Sequence, residues 1–196
     1  LKANITIGSA TVSSTPSTGA VANQRITMSG SGFTASSTVS TILIAGETIH
    51  TSKINDNSII NIDNGGSWSA SVDLPVTGGT ETSGTKEIKV TDGSGRVGKF
   101  DLDISAKTLT LSPEEGRVGS NVTVKGTGFP SKNNDGNSNT VTVTYTSGSS
   151  ENSSTVTPDA SGNFTVTVQV PSGSAIPSTN TVKATYDLYT ANTAST

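Results

Sequence analysis

The chain of 196 residues carries 12 Lys and Arg against 15 Asp and Glu, one histidine, no cysteine, eight aromatic side chains and 30% apolar residues. A net charge of −3 without any basic cluster argues against nucleic-acid binding, because counterion release needs concentrated positive charge. The missing cysteines remove disulfides and thiolate metal sites, and no apolar run reaches the roughly 18 residues of a membrane-spanning helix.

Taken in order, the apolar residues alternate with period two, are rich in Val, Ile and Thr, and nowhere sustain a 3.6-residue period, which predicts an all-β chain. Candidate strands lie at 3–7, 10–14, 25–30, 39–45, 47–50, 58–62, 67–74, 86–91 and 99–104. Further ones follow at 108–111, 121–125, 140–146, 154–157, 163–170 and 181–186. Asn64-Gly65-Gly66, Asp92-Gly93-Ser94-Gly95 and Ser161-Gly162-Asn163 supply residues tolerant of positive φ just ahead of strands. Pro75 and Pro171 end strands, because proline has no N–H for the ladder.

The chain is one unit written twice. Residues 109–129, LTLSPEEGRVGSNVTVKGTGF, repeat residues 12–33, VSSTPSTGAVANQRITMSGSGF. An offset of 96 joins Ile26 to Val122, Gly30 to Gly126, Gly32 to Gly128 and Phe33 to Phe129, and the same offset joins residues 63–75 to 159–171. Pro16 and Pro113 need an offset of 97, so the first copy carries one extra loop residue. A repeat of this length is long enough to be a domain. The expected organisation is a candidate donor strand at 1–10, a first sandwich at 11–104, a short linker at 105–107 and a second sandwich at 108–196.

Short strands at regular spacing, broken by Gly and Pro turns, predict two tandem antiparallel β-sandwiches. The motif P-x-x-G-x-V-G-x-x-V-T-V-x-G-x-G-F, as it stands from Pro113 to Phe129, resembles the opening of IPT/TIG-type immunoglobulin-like domains of prokaryotic cell-surface, S-layer and adhesin proteins. The resemblance covers both units and implies an extracellular, cell-surface location. Domains of this kind serve as spacers, adhesive modules or accessory domains of secreted enzymes.

The two copies disagree at their ends. At an offset of 94, Ile88 and Val90 match Val182 and Ala184, but the following strand with Phe100, Leu102 and Ile104 has no large apolar counterpart in residues 190–196. The first unit is instead preceded by a spare alternating segment. The expectation is head-to-tail strand donation, with Ile5, Ile7 and Val12 as donor side chains and Phe164, Val182, Tyr186 and Tyr189 in the accepting domain. Such a contact is heterologous and repeats into a filament or layer. The alternative is a spacer or a carbohydrate-binding or adhesive module of a larger adhesin or secreted enzyme, with surface glycans as partners.

Catalysis is not expected. His50 is the only histidine, Glu114 and Glu115 are adjacent and cannot flank a substrate, and Asp101 and Asp103 fall on the outward face of a strand. No cofactor is expected either. Calcium is the one ion for which the loops Asn133-Asn134-Asp135-Gly136-Asn137 and Asn55-Asp56-Asn57 offer hard ligands, and neither has the spacing of a calcium loop. Four sequons place candidate glycosylation acceptors at Asn4, Asn121, Asn152 and Asn163.

Overall fold

The computed structural model describes residues 8–49, 54, 58–75, 80–133, 136–174 and 180–186. Thirteen strands and no helix are present among the described residues. The chain divides into two compact units, one formed by Leu1–Ala20 with Arg25–Ser105, the other by Val21–Gln24 with Ala106–Thr196.

In the first unit, β1 (Thr11–Thr15), β2 (Arg25–Ser31) and β5 (Trp68–Asp73) form one sheet in the order β1-β2-β5. Its second sheet contains β3 (Val39–Ile44), β4 (Glu47–Thr48), β6 (Gly84–Asp92) and β7 (Val97–Ile104), in the order β4-β3-β6-β7. The second unit repeats this with β8 (Thr108–Ser112), β9 (Asn121–Thr127) and β12 (Phe164–Gln169) in the order β8-β9-β12. Its other sheet is β11-β10-β13, built from β10 (Val141–Ser147), β11 (Ser150–Val156) and β13 (Thr181–Tyr186). Every strand pair is antiparallel, and each unit is a β-sandwich.

Strict alternation decides which face is buried. In β2, Ile26 and Met28 enter the core while Thr27 and Ser29 face outward; in β5, Trp68, Ala70 and Val72 enter it. The outward rows are hydroxyl-rich and pair across strands, as in Thr11 with Ser31 at 2.8 Å and Thr108 with Thr127 at 2.7 Å.

Both cores are locked by an aromatic ring lying on a glycine of the neighbouring strand. Gly30 stands opposite Trp68, and Gly126 opposite Phe164. A Cβ on Gly30 would come within 2.3 Å of Trp68 Nε1, and one on Gly126 within 2.2 Å of Phe164 Cε1. Phe33 and Phe129 then meet those rings edge-on, with centroids 5.9 Å and 5.0 Å apart.

Several expected elements are corrected. Residues 58–62 are not a strand; Ile60 and Ile62 are buried, but only Asn61 forms a bridge, to Thr38, with single backbone bonds at Val39 N to Ile60 O and Ile62 N to Ser37 O. Strand β4 stops at Thr48, and β11 starts at Ser150, earlier than its apolar content signals, because a two-residue hairpin sets Ser150 against Ser147. Phe100 is half-buried against the core, whereas Leu102 and Ile104 are buried within it. The expected strand at 3–7 and His50 lie outside the described residues.

The ring-on-glycine contact makes opposite predictions for its two partners. Gly126→Ala should destabilise the protein by about 1–3 kcal/mol, because the added methyl must displace a packed ring. Trp68→Phe should cost less than about 1.5 kcal/mol, since Trp68 Nε1 is buried without a hydrogen-bond partner and the second unit already uses Phe164 in this place. Urea unfolding of the full chain checks both; a larger loss for the tryptophan change than for the glycine change would contradict this account.

Candidate functional site at the open edge of the second unit

The two units correspond strand for strand until the last. Pairing fixes the match: Ile42 and Ile44 of β3 face Val90 and Ile88 of β6, as Val143 and Tyr145 of β10 face Ala184 and Val182 of β13. In the first unit the far edge of β6 is fully occupied by β7, from Gly84 opposite Ile104 to Thr91 opposite Val97. Among the described residues, no strand pairs with the far edge of β13.

Burial follows from this difference. Ile88 and Val90 are 0% exposed, but Val182, Ala184 and Tyr186 remain half-buried. The opposing sheet shows the same deficit. Val12 of β1 is 8% exposed beneath β7, where Gly98 comes so close that a Cβ would meet Val12 Cγ2 at 2.7 Å and Phe33 Cζ at 2.9 Å. Its counterpart on β8, Leu109, is half-buried, as is Leu111 two residues on. The half-buried apolar side chains of β13 and β8 make up an apolar strip, and among the described residues no strand pairs with the edge beside it, the two ingredients of strand addition.

Of the expected accepting residues, Phe164 is buried in the core under Phe129, and Tyr186 meets Phe129 edge-on at 5.9 Å with Lys107 Nζ 5.6 Å from its ring centroid. Val182 borders the strip, and Tyr189 lies outside the described residues. Of the expected donors, Ile5 and Ile7 also lie outside them. Val12 is corrected: it is packed in the core of its own unit and paired through β1 to Gly30, so it is not available to a neighbour. Asn121 and Asn163 are exposed; Asn152 is half-buried and its amide donates to Gln169 O at 3.1 Å; Asn4 lies outside the described residues.

The acidic loops have a role that sequence reasoning missed. Asp63, Asp92, Asp159 and Asn133 each open the same five-residue turn, closed by a glycine of positive φ three residues later, at Gly66, Gly95, Gly162 and Gly136. In the aspartate turns one carboxylate oxygen accepts the N–H groups two and four residues on, at 2.8–2.9 Å. Asn133 Oδ1 accepts Asn137 N at 3.0 Å, so this oxygen of the candidate calcium loop is engaged inside its own turn. Asn134, Asp135 and Asn55 to Asn57 lie outside the described residues. The recurring D-x-x-G spacing was the available signal.

Asp92 goes further, because its second oxygen accepts Thr34 N at 2.9 Å. Burial opposes its charge, but the N–H groups of Thr34, Arg96 and Ser94 outweigh that and hold its carboxyl below the usual value. Asp159 is held low by the N–H of Asn163 first and, against its partial desolvation, by Ser161 and Gly162. A lowered native value means the stabilising charge is fully present above the ordinary 3.8 and is lost as the pH falls below that through the native value. Stability should therefore decline in that acid window, and less steeply in Asp92→Asn, as read by urea midpoints between about pH 5 and 2. Asp92→Ala should cost about 1–3 kcal/mol at neutral pH by leaving three backbone donors without an acceptor.

An apolar depression lined by Val39, Ile42, Ile49, Ile54 and Ile60 indents the first unit, and among the described residues no titratable side chain lines it. Among the described residues no group of three or more His, Cys, Asp or Glu could hold a metal ion, and no helix is long and apolar enough to cross a membrane.

No protein-family model matches the chain, and no curated protein matches it. Among solved structures, the chain is similar to the crystal structure of a tetra-tandem repeat in the extending region of a large adhesion protein, at 17% identity and a TM-score of 0.32. The match covers 92% of this chain and 48% of that one, so this chain spans about half the length of its neighbour.

Proposed function

We propose that the chain is a non-catalytic structural module of an extracellular surface assembly, built from IPT/TIG-like sandwiches. Copies join head to tail by strand addition: the N-terminal segment of one copy, with Ile5 and Ile7 as its inward side chains, enters the open edge of the second unit of another. The observation that carries this reading is the contrast between β6, whose far edge β7 fills, and β13, whose far edge no described strand fills and whose inward side chains are half-buried. A composition rich in Ser, Thr, Asn and Gly, with 14% charged residues, suits an outer surface. Because the donating and accepting surfaces are different patches, the contact repeats without closing into a ring.

The experiment is negative-stain electron microscopy and sedimentation of the full chain beside a version lacking residues 1–7. The deletion stops short of Gly8, whose carbonyl accepts from the Arg96 guanidinium and so belongs to the first unit's own packing. Filaments from the full chain and monomers from the shortened one are expected. Monomers in both samples, or filaments in both, would overturn the reading.

A further inference from the structure

We infer that the donated strand is Lys2–Ile7, that it lies antiparallel to β13 in the place β7 holds in the first unit, and that it is registered with Asn4 opposite Thr181. This rests on the strand-addition reading above. It comes from the phase of the repeat.

The offset of 97 that joins Pro16 to Pro113 continues upstream through Val12 and Leu109, Thr11 and Thr108, Ile7 and Ile104, Ile5 and Leu102, and Lys2 and Lys99. The segment before β1 is thus a second copy of β7, followed by the same three-residue connection, Gly8-Ser9-Ala10 against Ser105-Ala106-Lys107. The described residues of that connection take equivalent places. A Cβ on Gly32 would meet Ser9 O at 2.9 Å, and one on Gly128 would meet Ala106 O at 2.4 Å, each glycine having positive φ. Each connection therefore enters its unit past the same glycine.

In a tandem array, the strand just before a unit's first strand closes the unit ahead of it. β7 does this for the first unit. Residues 2–7 carry the sequence pattern of that closing strand, and among the described residues no strand pairs with the far edge of β13.

The register follows by transfer. In the first unit Asp101 faces Glu87, Phe100 faces Ile88 and Leu102 faces Lys86. Replacing β7 by the offset of 97 and β6 by β13 sets Asn4 opposite Thr181, Ala3 opposite Val182 and Ile5 opposite Asn180. Ile5 and Ile7 then take the buried places of Leu102 and Ile104, and Lys2, Asn4 and Thr6 take the exposed places of Lys99, Asp101 and Asp103. A slip by one residue would drive Lys2, Asn4 and Thr6 into the core. Leu1 falls where Gly98 stands, a place with no room for a side chain in the first unit, so pairing starts at Lys2. A two-residue slip keeps the correct face inward and would set Asn4 opposite Lys183.

Because the chain has no cysteine, pairs of introduced cysteines test this directly. Full-length Asn4→Cys is mixed under mild oxidation with full-length Thr181→Cys or with full-length Lys183→Cys, each single variant alone giving the background, and polymer formation is followed by sedimentation. Both substituted positions on β13 are exposed. Directly opposed residues lie within disulfide range and diagonal ones, about 7–8 Å apart, do not, so the Thr181 mixture should link at least about tenfold more than the Lys183 mixture. Equal or stronger linking to Lys183→Cys, with polymers still present, would overturn the register and leave strand addition standing. No linking in either mixture, with the chains sedimenting as monomers, would overturn strand addition and the register with it.

Discussion

Each sandwich depends on one contact: an aromatic ring laid across a glycine of the adjacent strand. The glycine removes the Cβ that would otherwise hold the ring off, so Trp68 and Phe164 reach across their sheets and present an edge to Phe33 and Phe129. Those phenylalanines are fixed in turn by the backbone. Phe33 N donates to Gly66 O and Phe129 N to Gly162 O, and both glycines belong to the turns opened by Asp63 and Asp159. One carboxylate, two glycines and two rings thus form a connected unit, written at the same spacing in both halves of the chain. A core with so few aromatic side chains is sensitive to each of them, because packed rings supply much of the area that a small sandwich can bury.

A sandwich built this way still has to close its sheets. In the first unit β7 does two things at once. It pairs with the edge of β6, and at Gly98 it comes against Val12 and Phe33 of the opposite sheet, so the same strand satisfies the ladder and covers the core. The backbone secures its end: Ala20 N donates to Asp103 O, and Ser105 N donates to Ala20 O. Where no described strand plays this part, β8 and β13 both keep their inward side chains half-buried.

Period-two alternation made the all-β class and most strands legible, because outward Thr and Ser separate inward Val and Ile with little exception. The same signal misled at 58–62, where Ile60 and Ile62 are buried by contact with the core and not by ladder pairing, and it marked only the second half of β11, whose Ser-Glu-Asn-Ser start has nothing apolar to show. Val12 shows the deeper limit. Alternation states that a side chain faces a core without stating which core, and Val12 fits a donor strand as well as it fits β1 until its pairing with Gly30 is known. The contrast between the two units stood out in the sequence because it is a difference between two copies, and differences between copies cancel what the fold alone requires; among the described residues no strand pairs with the far edge of β13. The turns themselves were marked by their glycines, but the part of Asp63, Asp92 and Asp159 in them went unread, because their chemistry is local and hydrophobic patterning does not register it.

The proposed junction also has an energetic logic that the donor alone would not supply. Burying Ile5 and Ile7 would contribute roughly 3–6 kcal/mol, no more than the lower part of the roughly 4–15 kcal/mol that association costs. The remainder has to come from the accepting unit. Leu109, Leu111, Val182, Ala184 and Tyr186 are half-buried before any strand arrives, and a strand in the place of β7 would cover them together while pairing the edge of β13. Affinity in such a contact is stored mainly in the acceptor, as apolar area that folding alone leaves wet. This explains why a donor with only two large apolar side chains and one alanine facing inward would suffice, and why the six outward and inward positions of Lys2–Ile7 need to match the strip in register more than in bulk.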